Sequence, residues 1–469
     1  MLVILNDNVM SRMFFCAVMS LFFCLTSCTD GKIHVRSVNS FNNDWKFYLG
    51  DMDNGAQESL DDTNWRTLNL PHDWAVEGDF SPNNPSGTGG GALPGGVGWY
   101  RKTFVADESY QGKKVYIDFD GVYMNSQVYI NGTLLGKRPY GYISFRYDLT
   151  PYLKYGEENV VAVRVDNAEQ PNSRWYSGCG IYRNVWLTVV NPVHVDLWGT
   201  YVTTPVVSEN EASVSAKTTV RNDSKQKNEL ELHSLLLDAE GRTVAQTLST
   251  LTIETNSKAD VEQVLAVENP KLWSIDNPYL YTLLTQVVID GEVVDDYTTQ
   301  TGIRYFEFDA EKGFFLNGEK VKINGVCMHH DLGCLGAAVN TRAIERQLEI
   351  LKQMGCNGIR CSHNPPAPEL LELCDRMGFV VMDETFDMWR KRKTRYDYSL
   401  YFNEWHERDL TDLVMRDRNH PSVFIWSIGN EVLEQWSDAN ADTHPKRTPM
   451  MICLVIYGNF LAGVCLSIR

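Results

Sequence analysis

The sequence predicts a multidomain fold made of two antiparallel β-sandwiches followed by the first half of a (β/α)8 barrel. A chain of 469 residues exceeds what one hydrophobic core supports, so two to four domains are expected. Up to about residue 303, short alternating runs are separated by turn residues. From Phe314 onward strands alternate with helices, which is typical of a parallel sheet.

The first predicted sandwich spans residues 31–192. Lys114–Phe119 and Asn159–Val165 alternate with period two, and the Asn131-Gly132 pair is a hairpin turn signal. The stretch Ser81–Gly98 is rich in glycine and proline and predicts a long loop. Long loops within compact domains are often functional, so this one is a candidate element of a site.

The second predicted sandwich spans residues 193–303. Alternating runs at Ser213–Val220, Glu229–Leu237 and Leu280–Ile289 within about one hundred residues indicate an immunoglobulin-like domain. No cluster of reactive side chains accompanies these runs. We therefore expect this domain to act as a spacer.

The third predicted block, residues 304–443, has the pattern of a barrel. The expected strands are Val321–Val326, Gly358–Cys361, Phe379–Met382 and Val423–Ile428. The first expected helix is capped by Thr341, presents Ile344, Leu348, Leu351 and Met354 on its apolar face, and is closed by Gly355; a second ends at Gly378, and a third covers Phe402–Arg418. Almost wholly apolar strands joined by helices predict a parallel sheet, here four of the eight strands of a barrel.

Reactive side chains in such barrels lie at the carboxyl ends of the strands. The four predicted strand ends carry His329, His330 and Asp331; His363 and Asn364; Asp383 and Glu384; and Asn430 and Glu431. Carboxylates among polar, histidine-rich walls fit glycoside hydrolysis, in which one acid protonates the leaving oxygen. Trp389 and Trp436 are candidates for stacking on a sugar ring, whereas Trp426 is expected in the core.

Two segments resemble the signatures of glycoside hydrolase family 2. Asp417–Glu431 (DRNHPSVFIWSIGNE) is similar to the acid/base signature of that family at nearly every constrained position. Asn357–Pro365 (NGIRCSHNP), continuing to Asp375 and Gly378, resembles the other signature, with Asn364 in place of the usual tyrosine. The resemblance covers about residues 40–440 and implies a jelly-roll sugar-binding domain, an immunoglobulin-like domain and a catalytic barrel.

The resemblance implies a role for each matching residue. Glu431 resembles the general acid/base, and Asn430 resembles the residue that binds the sugar 2-hydroxyl. His329 and His363 resemble histidines that line the subsite of the non-reducing sugar, with Arg360 beneath them. Arg174, in the segment Arg174–Gly178, resembles a residue that leans over the site from the first domain; a surface loop is the alternative.

The nucleophile of a retaining mechanism is expected to be absent from this chain. The resemblance places it on the seventh barrel strand, and no residue here matches it. Residues 444–469 fit no fifth βα unit, and their uncharged run Met450–Ile468 is long enough to span a membrane. We favour out-of-frame or foreign sequence for this tail, and we expect the fragment to be inactive.

The expected substrate is a terminal β-D-galactoside in an oligosaccharide or polysaccharide, because the stretches 329–336 and 174–183 resemble those of β-galactosidase-type members. β-Glucuronidase, β-mannosidase and a non-catalytic carbohydrate-binding fragment are the alternatives. A net charge of −17 argues against a nucleic-acid partner. No cofactor and no essential metal are expected, since Thr385–Trp389 does not reproduce the magnesium ligands of some members. The oligomeric state stays open.

The N-terminus predicts a secretion signal over residues 1–28. Arg12 precedes the apolar run Met13–Leu25, and Leu25-Thr26-Ser27-Cys28 resembles the lipobox of bacterial lipoproteins. Lipidation of Cys28 would anchor the protein to the membrane of the bacterial cell envelope. A transmembrane anchor is the alternative, but the apolar run is short for it.

Overall fold

The computed structural model describes residues 35–436 and two short paired strands, Cys453–Leu454 and Val464–Cys465. Two antiparallel β-sandwiches are followed by a four-stranded parallel sheet with helices, so the predicted fold class is confirmed. The signal peptide with Cys28, and most of the 444–469 tail, lie outside the described residues. No helix of the described part is long and apolar enough to cross a membrane.

The first domain is a sandwich of ten strands. They are β1 (Ser37–Ser40), β2 (Trp45–Leu49), β3 (Arg66–Leu68), β4 (Gly96–Val105), β5 (Lys114–Phe119), β6 (Ser126–Ile130), β7 (Thr133–Arg138), β8 (Phe145–Asp148), β9 (Glu158–Asn167) and β10 (Val185–Val190). One sheet has the order β1-β10-β5-β8 and the other β3-β2-β4-β9-β6-β7. Val115, Ile117 and Phe119 of β5 are fully buried between the sheets, as their period-two spacing predicts.

The second domain is the immunoglobulin-like sandwich. Its strands are β11 (Val193–Val207), β12 (Glu211–Asn222), β13 (Asn228–Leu237), β14 (Thr243–Ile253), β15 (Ser257–Glu268), β16 (Tyr281–Ile289) and β17 (Glu292–Thr301). The sheets have the orders β11-β12-β15 and β14-β13-β16-β17. Along β13, Leu230 and Leu232 are buried while Glu229 and Glu231 are exposed, so the sequence alternation places one face in the core.

The third domain begins with a small antiparallel sheet of β18 (Phe306–Asp309), β19 (Gly313–Leu316) and β20 (Glu319–Val321). The chain then alternates β21 (Gly325–Met328), α1 (Thr341–Gln353), β22 (Gly358–Cys361), α2 (Pro368–Met377), β23 (Val380–Glu384), α3 (Phe402–Asp417) and β24 (Val423–Ser427). The strands pair in parallel in the order β21-β22-β23-β24. All four therefore direct their carboxyl ends to one edge.

The predicted strand Val321–Val326 is wrong. Its first residue closes the antiparallel sheet, and its last two residues open the parallel sheet. Between them the Asn357 side chain accepts a hydrogen bond from the Asn324 amide and donates one to the Lys322 carbonyl. Because a side chain satisfies these backbone groups, the chain can pass from one sheet to the other without a continuous ladder.

Two details of α1 also differ from the prediction. Its cap is Asn340, whose side chain accepts from the Ala343 amide at 3.0 Å, and Thr341 is the first helical residue. Met354 lies beyond the last turn and is 75% exposed, so it does not belong to the apolar face. The predicted face is correct at Ile344 and Leu348, which are buried.

The first domain is locked against the barrel by buried polar contacts. The fully buried guanidinium of Arg183 donates to the backbone carbonyls of Tyr142, Pro365 and Pro366. Arg138, also buried, pairs with Asp409 of α3 at 2.9 Å. One apolar cluster continues from the first domain into the barrel. This docking fixes where first-domain residues stand relative to the strand ends.

Candidate active site

The strand ends of the parallel sheet bring most of the predicted site residues together. His329 follows β21, His363 follows β22, and Asn430 and Glu431 follow β24. Glu384 is the last residue of β23, between the second and the fourth of these ends. The geometry is built around this buried carboxylate.

Glu384 is the centre of a hydrogen-bond network. Its side chain is fully buried and accepts from Arg360 at 2.8 Å, from the His363 ring at 2.7 Å and from the Ser427 hydroxyl at 2.6 Å. Arg360 and His363 stand on β22 and just after it, and Ser427 on β24. One carboxylate thus fixes side chains from both neighbouring strands, and its charge is compensated by the guanidinium.

Asn430 is held from two sides. Its carbonyl oxygen Oδ1 accepts from Arg360 Nη2 at 2.9 Å, and its Nδ2 donates to Asp387 Oδ1 at 2.8 Å. Its backbone carbonyl accepts from Lys393 Nζ at 2.6 Å. The side chain is buried and has a defined amide orientation, because each end meets a partner of fixed hydrogen-bonding character.

Arg174 reaches the site from the first domain. Its guanidinium donates to both oxygens of Asp387, at 2.8 and 3.2 Å, and contacts Glu431 Oε2 at 3.5 Å. The same nitrogen, Nη2, meets both carboxylates, which places them near one another. The structure thus brings Arg174 to the end of β24, on a segment without regular secondary structure, and its contact with substrate stays a prediction.

Asp387 anchors this side of the site. Burial alone would raise its pKa, but hydrogen bonds from Arg174, Lys393 and Asn430 outweigh burial and lower the pKa below the ordinary value. The carboxylate is 2% exposed and already has three partners. It is suited to holding Arg174 and Asn430 in place.

His329 and His363 form a wall with Trp175 of the first domain. The Trp175 ring stacks on His329 with centroids 5.1 Å apart and meets His363 edge to face at 5.5 Å. Partial burial, reinforced by the neighbouring His363, lowers the pKa of His329. Beside an indole, a neutral imidazole is better suited than an imidazolium cation to contact a neutral hydroxylated ring.

Other strand-end residues stay out of this network. His330 is buried, its Nε2 lies 3.2 Å from the Ser177 carbonyl, and burial lowers its pKa to about 3. A supporting position, rather than contact with a ligand, fits this burial. Asp383 is fully buried, and burial together with the charge of Asp417 raises its pKa. Asp383 lies on β23 next to Asp417, the last residue of α3.

Glu431 has an unusual backbone. Its φ is +45°, a left-handed conformation that residues with a β-carbon adopt rarely. Its side chain is 63% exposed and touches Arg174. Residues in such conformations concentrate at functional sites, where the surrounding structure holds them.

Sequence reasoning missed several members of the site. Glu384 stood among the strand-end residues, but its role as the shared partner of Arg360 and His363 was not predicted; Asp387, Lys393 and Trp175 were not identified at all as members of the site. Trp175 follows Arg174 directly in the segment Arg174–Gly178, so the signal that suggested Arg174 could also have suggested Trp175. Within residues 35–436 no cluster of three or more His, Cys, Asp or Glu side chains is arranged to hold a metal ion.

The chain belongs to family 2 of the glycosyl hydrolases. Three models of that family match in succession: its sugar binding domain over residues 38–191, the model described as glycosyl hydrolases family 2 over residues 193–304, and its TIM barrel domain over residues 309–448. The predicted family is thereby confirmed.

Similar proteins include β-galactosidases and β-glucuronidases. The chain is 66% identical over 420 residues to β-galactosidase BoGH2A of Bacteroides ovatus, covering 89% of this chain and 49% of that protein. It is 45% identical over 397 residues to a putative β-glucuronidase of Formosa agariphila, covering 84% and 37%. The chain thus spans about half the length, or less, of these relatives.

Solved structures of family-2 members are also similar to this chain. A family-2 member from Bacteroides cellulosilyticus superposes with a TM-score of 0.84 at 43% identity, covering 87% of this chain and 53% of that one. A β-glucuronidase from Bacteroides uniformis superposes with a TM-score of 0.77 at 29% identity, covering 87% and 49%.

Proposed function

We propose that the protein is a retaining glycosidase that hydrolyses terminal β-D-galactosides, with Glu431 as its general acid/base. The observation that carries this proposal is the arrangement of Asn430 and Glu431 at the end of β24. Asn430 is fixed by Arg360 and Asp387, and the adjacent Glu431 stands open beside Arg174. The galactoside preference is supported by the 66% identity to a β-galactosidase over 89% of the chain.

Each site residue has a task in this proposal. Glu431 protonates the glycosidic oxygen in the first step and takes a proton from water in the second. Asn430 donates to the 2-hydroxyl of the sugar, a contact that strengthens in the transition state. His329, His363 and Trp175 line the subsite of the terminal sugar.

A retaining mechanism needs a second carboxylate about 5–5.5 Å from the acid/base as nucleophile. The nearby carboxylates of Glu384 and Asp387 are saturated with hydrogen bonds to basic side chains, so neither is free for attack. We infer that residues 29–469 alone lack measurable glycosidase activity, and that turnover requires a complete barrel. Hydrolysis of 4-nitrophenyl β-galactoside by purified 29–469 would contradict this.

The test of Glu431 uses a protein that carries the complete barrel. Glu431→Gln should abolish hydrolysis of lactose by several orders of magnitude, since the sugar leaving group needs protonation. An activated dinitrophenyl galactoside should still release its phenol in a burst, because that step needs no acid. Glu404→Gln, an exposed change on α3, is the matched control. Unchanged lactose turnover in Glu431→Gln would remove Glu431 from the role.

A β-glucuronidase is the second candidate. It is favoured by the 45% identity to a putative β-glucuronidase and by the half-exposed Arg174 cation, which lies beside Glu431. Comparing kcat/KM of the complete enzyme on 4-nitrophenyl β-galactoside and β-glucuronide separates the two. A preference for the glucuronide would replace the galactoside proposal.

We also propose that Cys28 is lipidated and anchors the protein in the cell envelope. The support is the segment Leu25–Cys28 after an apolar run. In a bacterial host, wild-type protein should incorporate radiolabelled palmitate, whereas Cys28→Ala should keep its leader and remain unlabelled. Equal labelling of both proteins would refute the anchor.

A further inference from the structure

The loop that follows β23 is strongly basic although the protein is acidic. The segment Trp389–Tyr396 (WRKRKTRY) carries five cationic residues in a chain of net charge −17. We call residues 389–396 the basic loop. Arg390, Lys391, Arg392 and Arg395 are exposed. Within the described part of the chain, none of these four is ion-paired, whereas Lys393 is buried against Asp387.

The basic loop is attached to the catalytic end of β24. The Trp389 indole donates to the Ile428 carbonyl at 2.8 Å, and Lys393 Nζ donates to the Asn430 carbonyl at 2.6 Å. The Lys391 amide donates to Glu434 Oε1 at 2.7 Å, three residues beyond Glu431. The exposed cations are therefore held at the rim of the site, beside the acid/base.

The surrounding strand ends indicate which side of the active site the basic loop faces. The wall of the terminal sugar comes from the ends of β21 and β22, through His329 and His363. An acid/base must touch the glycosidic oxygen, so Glu431 marks the boundary between the terminal sugar and the leaving group. The basic loop follows β23 and is hydrogen-bonded to Ile428, Asn430 and Glu434, on both sides of Glu431, whereas the histidine wall follows β21 and β22. Because β21 and β22 supply the wall of the terminal sugar, we assign the loop that follows β23 to the leaving-group side.

We propose that the basic loop binds an anionic group, a carboxylate or a sulfate, on the leaving-group side, so that the preferred substrates are galactosides attached to an acidic sugar. This inference rests on the proposed function for the identity of the terminal sugar. Guanidinium and ammonium groups that are exposed and not ion-paired have N–H donors available for such a ligand. Arginine can bind two oxygens of a carboxylate or sulfate at once, in a bidentate pair of hydrogen bonds. Elsewhere the negative charge of the protein would repel an acidic glycan.

The test measures binding to the 469-residue chain by calorimetry, without turnover. Lactobionate and lactitol share the galactosyl unit and an open-chain leaving group, and differ by one carboxylate. Lactobionate should bind about three- to tenfold more tightly than lactitol at low salt, and the ratio should approach one at about 0.5 M salt. Lactose sulfated on its glucose unit tests whether sulfate is preferred over carboxylate.

The variant Arg390→Gln/Lys391→Gln/Arg392→Gln should abolish the preference for lactobionate. The matched control, Lys225→Gln/Lys320→Gln/Lys322→Gln, removes the same charge from exposed sites elsewhere and should retain the preference. Equal melting temperatures establish that both variants fold. Equal affinity for the two sugars in wild type, loss of preference in both variants, or no binding of either sugar overturns the inference.

Two further outcomes would reassign the basic loop. If methyl β-glucuronide, compared with methyl β-galactoside, shows the charge dependence and lactobionate does not, the cations face the terminal sugar. If phosphatidylglycerol vesicles bind the wild type and not the loop variant while lactobionate shows no preference, the loop is a membrane contact. Either result overturns the inference. If the complete enzyme cleaves no galactoside but lactobionate still binds more tightly than lactitol through the basic loop, only the proposed function is refuted.

Discussion

Glu384→Gln tests whether one buried carboxylate organises the active site. The substitution keeps the volume but removes the charge that faces Arg360 and His363, which are only 23% and 17% exposed. Removing one partner of a buried pair costs about 3–5 kcal/mol, and the residual exposure of Arg360 reduces this to about 2–3 kcal/mol. At 1.4 kcal/mol per factor of ten, local opening becomes about 30- to 150-fold more frequent.

Amide hydrogen exchange of β22 and β24 measures this opening without assuming that the three domains unfold together. Glu77→Gln disrupts an exposed pair with Arg66 in the first domain and should cost less than about 1 kcal/mol. Ser427→Ala, which removes one hydrogen bond to Glu384, should cost about 1 kcal/mol. Exchange in Glu384→Gln no faster than in Glu77→Gln would refute the central role of Glu384.

Three further substitutions test the fold. Burial raises the pKa of Asp120 from 3.8 to about 7, so the folded state holds the proton more tightly and stability falls as pH rises between these values. Asp120→Asn should therefore increase the free energy of unfolding at pH 8 by at most about 4 kcal/mol and should not increase it at pH 3; no gain at pH 8 contradicts this. Gly378→Ala should destabilise by at least about 1–2 kcal/mol in urea unfolding, because φ is +71° and a Cβ would lie 2.1 Å from the Ile275 carbonyl; an unchanged midpoint is the adverse result. Arg183→Met should cost about 3 kcal/mol or more by leaving three carbonyls unsatisfied, and equal resistance to limited proteolysis would contradict it.

The sequence predicted the elements whose pattern is local. Gly358–Cys361 is a strand with the predicted bounds, and the strand before Asn430 is correct to one residue, because a short apolar run between turn residues has few other solutions. The error at Val321–Val326 arose where an apolar run passes from one sheet to another. Periodicity cannot locate such a break, since its cause is the Asn357 side chain, more than thirty residues away.

The site was predictable only as far as strand ends define it. A strand end shows that Glu384 lies near the site, but not that its oxygens meet Arg360, His363 and Ser427. The pairing of Arg174 with Asp387 joins residues 213 positions apart, in different domains. Such contacts depend on how the domains dock, and neither spacing nor composition carries that information. The roles assigned to Glu431, Asn430, His329 and His363 stay predictions until the variants are measured.

Domain docking therefore helps to build the candidate site. Trp175 and Arg174 stand on the first domain, yet they contact His329 and Asp387 of the barrel. The chain between Arg174 and Arg183 carries both the site residues and the buried guanidinium that binds barrel carbonyls. A displacement of this short segment would move Arg174 away from Glu431 before it disturbed any barrel strand. The geometry of the candidate site and interdomain stability are thus coupled through ten residues of sequence, and variants that loosen the docking should lose substrate discrimination earlier than they lose the barrel fold.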